Sequence, residues 1–328
     1  MKLQILVPQY NESDAVIKPL LDSIAIQQCV DFADYGVIIV NDGSNVQLTD
    51  AFLRSYPFQI QYILAPHKGV SGARNVALDH ATAEYVMFCD ADDMFFNACG
   101  LWIIDQNLKS KPDTMTSIFT EQVRRNDTGE TVFVNREMDS TFVHGKVHKL
   151  AYLREKNVRF CERLTVHEDS YFNVLAQSCT DNLIYCKAPF YLWKWRDDSI
   201  CRHDGKYILK TYGNLIDSSE ELVNEFERRD MPDKADRAVA VMFFDAYYTL
   251  NKPAWINQDN VEYRDATERR FYKYYLAHRH QWERYDPDEK MRMSVAIRNR
   301  TVREGMQMEQ ITFDDWLKRV ERTAMRNE

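Results

Sequence analysis

Short apolar runs alternate with helical periodicities through residues 3–110, and each run ends in a polar cluster. Leu3-Gln4-Ile5-Leu6-Val7 reads as a strand. Ile17, Leu20, Leu21 and Ile24 follow at the spacing of one helix face. Pro19 suits a first turn, which predicts a helix starting near Ile17. Val37-Ile38-Ile39-Val40 is continuously apolar, as in a parallel strand buried on both faces. Residues 60–64 predict a third strand, 72–80 a helix, and Tyr85-Val86-Met87-Phe88 a fourth strand. The alternation predicts an α/β fold, a doubly wound sheet joined by right-handed crossovers. Ligands of such sheets bind beyond the carboxyl ends of the strands.

The pattern is mixed from 112 to 205. Residues 117–124 and 130–134 predict strands joined at Asp127-Thr128-Gly129. Residues 168–178 predict a helix, and 183–186 and 190–195 further strands. After 206 the strand signal stops, and charged amphipathic stretches rich in Tyr, Phe and Arg predict helices. Two domains follow, 1–205 and a helical C-terminal region, 206–328.

Aliphatic, aromatic and Cys residues make up 45% of 328, enough for a sizeable core. Lys and Arg total 42 against 50 Asp and Glu, a net charge of −8. That balance argues against a dedicated nucleic-acid binder. The longest apolar run, 238–244, is far short of a membrane span. The N-terminus enters a strand at once, which is not the pattern of a signal peptide. The cysteines are dispersed without a Cys-x-x-Cys pair, as expected of reduced thiols in the cytoplasm.

The chemistry lies in the strand-end clusters. Pro8-Gln9-Tyr10-Asn11-Glu12 follows the first strand and Asn41-Asp42-Gly43-Ser44 the second. His67-Lys68-Gly69-Val70-Ser71-Gly72-Ala73-Arg74-Asn75 opens a helix after the third. Asp90-Ala91-Asp92-Asp93 follows the fourth. Three carboxylates in four residues suit a hard divalent ion, Mg²⁺ or Mn²⁺; a solvated acidic turn is the plain alternative. The helix start with Lys68 and Arg74 favours an anion, or else is a simple cap at Ser71. Asp42 offers an acceptor to a base edge, and Tyr10 offers a ring to stack on it or to fill a core. Taken together, the clusters describe a nucleoside-diphosphate site.

These stretches resemble the GT-A glycosyltransferases, in particular the inverting family 2, over roughly residues 3–200. Gly145-Lys146 is similar to that family's Gly-Lys before a helix. His167-Glu168-Asp169-Ser170-Tyr171-Phe172 resembles its Glu-Asp motif, and Tyr191-Leu192-Trp193-Lys194-Trp195-Arg196-Asp197-Asp198-Ser199-Ile200 its aromatic-Arg-Ser stretch. The resemblance implies a Rossmann-like mixed sheet and transfer of a sugar from a nucleotide sugar, UDP-linked by preference. It implies that Pro8, Tyr10 and Glu12 line the nucleoside pocket and that Asp42 pairs with the base. It implies Arg74 near the base or diphosphate, Asp90 on the ribose and metal shell, and Asp92 on the metal. Asp169 becomes the general base, with Glu168 positioning the acceptor; an acidic pair favoured by a helix dipole is the alternative. His67 departs from the family's usual Asn, and His167 from its usual Gly.

Arg196, Arg202 and His203 are candidates to add positive charge at the diphosphate, and His203 is also a candidate metal ligand or a plain surface residue. Lys146 touches the acceptor or steadies a loop. Trp193 and Trp195 form a stacking platform or pack in the core. The acceptor class is a glycan, a polymer such as a cell-wall polysaccharide, or a lipid-linked sugar. The C-terminal region packs, dimerises the chain, or docks on an acceptor or a membrane surface. Rival readings are a nucleotidyltransferase, against which the first loop lacks glycine and cation, and a non-catalytic nucleotide-binding or interaction module.

Overall fold

Strand β1 (Leu3–Gln9) lies between two parallel neighbours, and Leu3, Ile5, Leu6 and Val7 are buried. That double burial is why its sequence does not alternate. The structure, a computed structural model, describes residues 1–125, 128–136, 140–197, 206–303 and 311–326. The chain forms two compact units, 1–197 and 198–328.

In the first unit the main sheet has seven strands in the order β10-β6-β9-β4-β1-β2-β3. They are β2 (Tyr35–Asp42), β3 (Gln59–Ala65), β4 (Tyr85–Phe88), β6 (Thr114–Ser117), β9 (Lys146–Lys149) and β10 (Leu183–Cys186) around β1. β9 runs antiparallel to both its neighbours, so the sheet is mixed. A second sheet joins β5 (Met94–Phe95), β11 (Tyr191–Trp193), β7 (Phe119–Arg124) and β8 (Thr131–Arg136). The unit's helices are α1 (Asp14–Ala25), α2 (Asp50–Leu53), α3 (Gly69–His80), α4 (Gly100–Leu108), α5 (Leu150–Glu155) and α6 (Glu168–Ser178).

Register aligns the strand ends. Gln9 pairs with Asn41, Asp42 with Ala65, and Leu6 with Phe88. The polar residues after β1, β2, β3 and β4 therefore emerge side by side at one edge. Buried amides fix the loops there. Gln9 Nε2 donates to the carbonyls of Glu12 and Val46, and Asn41 Nδ2 donates to Val46 and to Tyr62 Oη.

Four expectations change. Helix α1 begins at Asp14, with Pro19 inside it rather than in its first turn. The Ser13 carbonyl starts the helix by accepting from Val16 and Ile17, and the buried stripe Ile17, Leu20, Leu21, Ile24 outweighs the one amide bond that proline forfeits. Helix α3 begins at Gly69, so Ser71 is an interior residue with its hydroxyl 3.5 Å from the Leu164 carbonyl, not a cap. The strand expected over 117–124 is two strands, because the chain crosses from one sheet to the other at Ile118. Lys146 opens strand β9, and three further strand residues separate it from helix α5. Helix α6 and strand β10 have the expected bounds.

The second unit is helical, with long helices Tyr207–Arg228, Pro232–Leu250, Val261–Arg284, Pro287–Arg303 and Phe313–Met325. Its aromatic residues meet in its core: Phe243 packs on Phe271 and Trp282, and Trp316 on Phe271 and Tyr247. Among the described residues no helix is long and apolar enough to cross a membrane.

Phe172 of α6 ties that helix to the sheet. It is fully buried, stacked on Phe160 at 4.1 Å and edge-on to Phe88 at 5.4 Å. Phe172→Ala is expected to cost about 3–5 kcal/mol of stability, read as a lowered urea midpoint.

Candidate active site

The edge where β1, β2 and β3 end carries an aromatic platform. Tyr10 is 51% exposed, and its ring stacks on His67 with centroids 4.7 Å apart. Asp42 is buried beneath: one oxygen accepts the Lys68 N–H at 2.7 Å and the other lies 2.8 Å from His67 Nδ1. Gly43 makes this packing attainable. Its φ is +68°, and a Cβ there would meet the His67 backbone nitrogen at 2.7 Å. Pro8 precedes the last residue of β1, in register with Val40. Glu12 accepts the Tyr10 N–H at 2.5 Å, and burial pushes its carboxyl up from the usual value. Asp92 and Arg196 both act on Glu12, which links the platform to the acidic turn after β4.

At that turn Arg74 is the hub. Its side chain is 3% exposed. It donates to Asp90 Oδ1 at 2.9 Å, Asp169 Oδ1 at 2.5 Å and Glu168 Oε1 at 3.1 Å. The guanidinium also lies 5.2 Å from the Phe160 ring centroid. Burial disfavours the charge on Arg74, but the three carboxylates outweigh it and hold the group protonated. Burial likewise pushes Asp90 up, while Arg74 and His144 pull it well below the usual carboxylate range. Asp169 is pushed up to about 7 by burial, against Arg74 and with help from Glu168 and Asp90. Its second oxygen accepts the Val143 N–H at 3.2 Å. Arg74 is thus committed to protein carboxylates, not turned as a free cation toward solvent.

A second buried polar side chain at the turn was not foreseen. His144 is held between Phe142 and Tyr191, stacked at 5.3 and 4.6 Å, with Phe119 edge-on and Trp193 at 5.4 Å. Its Nε2 faces Asp90 Oδ2 at 3.3 Å and Asp93 Oδ2 at 3.6 Å. Asp93 also accepts from Tyr191 Oη at 2.6 Å and the Lys194 N–H at 2.9 Å. The signal available in the sequence was the acidic run itself, since a carboxylate as buried as Asp93 requires a polar partner.

Two donor sets bear on a divalent cation. Ligand atoms of Asp90, Asp93 and His144 lie within 4.8 Å of one another. Asp90 and Asp93 there already accept from Arg74, Tyr191 and the Lys194 N–H. Asp92 is different: its side chain is 36% exposed and meets Arg196 Nη1, 32% exposed, at 3.0 Å. Asp92 therefore presents its carboxylate at the rim of the turn, outside the Asp90–Asp93–His144 set.

The remaining candidates are dispersed. Lys146 is buried, its ammonium donating to the carbonyls of Phe142 and His144, so it braces the loop before β9. Trp193 packs in the aromatic box around His144. Trp195 lies past the end of β11, its indole N–H on Asp197. Arg202 and His203 fall outside the described residues.

Residues 4–99 match the model of glycosyl transferase family 2. The chain belongs to that family. Among relatives of this family 2 chain, the poly(ribitol-phosphate) beta-N-acetylglucosaminyltransferase TarS of Staphylococcus aureus is 27% identical over 290 residues, covering 78% of this chain and 48% of TarS. Glycosyltransferase GlyA of Streptococcus pneumoniae is 34% identical over 251 residues, 68% of this chain and 34% of GlyA. The chain thus spans less than half the length of these relatives. The crystal structure of TarS residues 1–349 in complex with UDP-GlcNAc superposes with a TM-score of 0.60 at 19% identity, covering 84% of this chain and 81% of that one. The fold of this family 2 member is accordingly GT-A, a mixed α/β sheet followed by a helical C-terminal region.

Arg74→Ala strands three carboxylates without their counter-charge. It is expected to destabilise the fold by about 3–5 kcal/mol at pH 8. The deficit shrinks toward pH 5, because protonation removes the uncompensated charge. Urea midpoints at the two pH values test both statements.

Proposed function

We propose that this chain transfers a sugar from a nucleoside-diphosphate donor, UDP-linked, to a hydroxyl of a glycan, polymer or lipid-linked acceptor. The observation that carries the reading is the meeting of Glu168 and Asp169 with Asp90 on one buried guanidinium, beside the Tyr10–His67 platform. Family membership and the names of the relatives support it, and TarS suggests a cell-wall polyol-phosphate polymer as acceptor. The groups assigned here lie in the catalytic domain, 1–205, which works in the cytoplasm where nucleotide sugars are made. The nucleotide base stacks on Tyr10, with Asp42 beneath and Pro8 and Glu12 alongside.

Asp92, with Asp90 nearby, would hold Mn²⁺ or Mg²⁺, and a bound ion would supply positive charge to the leaving diphosphate. The chain's own residues do the rest. Asp169 takes the proton of the acceptor hydroxyl. The acceptor oxygen then bonds to the anomeric carbon as the carbon–phosphate-oxygen bond breaks, its electron pair leaving with the diphosphate. One such displacement inverts the anomeric centre. Arg74 holds Asp169 and Glu168 in place, and Glu168 orients the acceptor side of the loop.

A non-catalytic module would need no base. Asp169→Asn is expected to abolish turnover while UDP affinity stays within about twofold, measured by product formation and calorimetry; unchanged turnover would sink the assignment. Because a base acts as the carboxylate and Asp169 sits near 7, kcat/KM should rise about tenfold per pH unit below neutrality and level off above it. Asp92→Ala should abolish metal-dependent UDP binding in the same calorimeter.

A further inference from the structure

The Tyr10 ring is half exposed, and its one ring contact among the described residues is the stack on His67, with 28° between the planes. The backbone that carries the ring is fixed. Tyr10 donates its N–H to Glu12 at 2.5 Å, and Asn11 donates its own to Ser44 Oγ at 2.8 Å. Those bonds set where the Tyr10 backbone stands and leave the side-chain torsions to the stack. His67 is anchored in turn. Its Nδ1 lies 3.0 Å from the Asp42 carbonyl oxygen and 2.8 Å from Asp42 Oδ2. Both of those atoms accept, so Nδ1 carries a ring hydrogen and shares it between them. Asp42 is buried, and its other oxygen accepts the Lys68 N–H, so the anchor is itself held. A chain of fixed contacts therefore runs from the end of β2 through Asp42 and His67 to Tyr10. The His67 side chain is 57% exposed, so this fixing fills no core. What it supports is the ring stacked on it.

We propose that His67 is a positioning residue for the donor's base: anchored on Asp42, it holds the Tyr10 ring in the plane on which the base stacks. The inference rests on the donor-site reading above and deepens it. A tyrosine ring free to turn about its side-chain torsions loses that freedom when a base settles on it, and the loss weakens binding. A ring already held on one face by an imidazole presents its other face ready for the base. Asp42 then contributes to base binding through the imidazole.

The test measures binding of UDP and of inorganic pyrophosphate by calorimetry, with Mn²⁺ present. It compares wild type with His67→Ala, His67→Phe, His67→Asn, Tyr10→Ala and the double variant Tyr10→Ala/His67→Ala. Tyr10→Ala is expected to bind UDP about thirtyfold more weakly than wild type. His67→Ala should bind it about fivefold more weakly. The double variant should stay within about twofold of Tyr10→Ala, because His67 acts only through that ring. His67→Phe keeps a ring to stack and should recover most of the loss. His67→Asn keeps an N–H donor without a ring and should not. Pyrophosphate has no base and should bind each variant as it binds wild type. Unchanged UDP affinity in His67→Ala overturns the positioning role. So do losses that add in the double variant, recovery by Asn instead of Phe, or a parallel loss of pyrophosphate. If wild type binds UDP and Tyr10→Ala matches it, the base does not stack on Tyr10 and the positioning role falls with that contact. If wild type binds no UDP with any divalent ion, the donor-site reading falls and takes the positioning role with it.

Discussion

One buried guanidinium sets the terms for the site. Arg74 sits on helix α3, reaches Asp90 at the end of β4, and holds Glu168 and Asp169 at the start of α6. Those residues are far apart in the chain, and three negative charges would not stay in a poorly hydrated space without it. The packing around it has the same purpose. Phe160 lies under the guanidinium, and Phe172 stacks on Phe160 from within α6. The aromatic core thus determines how far the acidic pair stands from the sheet edge. The shared cation also separates its partners chemically: Asp90 falls below the usual carboxylate range while Asp169 rises. Neighbouring carboxylates with divergent proton affinities are what a base beside a charged binding group requires.

The second consequence concerns layering of charge. The buried guanidinium of Arg74 serves the carboxylates that shape the site, whereas Arg196 at the rim pairs with Asp92.

Much of the fold was legible because parallel strands buried on both faces write themselves as unbroken apolar runs. β1, β2 and β4 are of that kind, and helix α6 announces itself by spacing. The clusters at the strand ends were legible too, and register explains why they share an edge. What escaped has local signals that tertiary packing overrides. Pro19 argues for a helix start, yet the apolar stripe on both sides of it demands one helix. For Lys146 the sequence leaves an acceptor contact and a loop brace open, and only the place of its ammonium on the Phe142 and His144 carbonyls gives the brace. The change of sheet at Ile118 has no periodicity of its own, since apolar residues continue across it. His144 and Asp93 found one another across about fifty residues, a pairing no spacing rule reveals.

The aromatic box around His144 has an optical consequence. Trp193 stands 5.4 Å from that imidazole, and the imidazole faces Asp90 and Asp93. Indole emission responds to the packing around the ring, so Trp193 is a resident optical marker of whether that box, and with it the contact of His144 to the acidic turn, stays assembled.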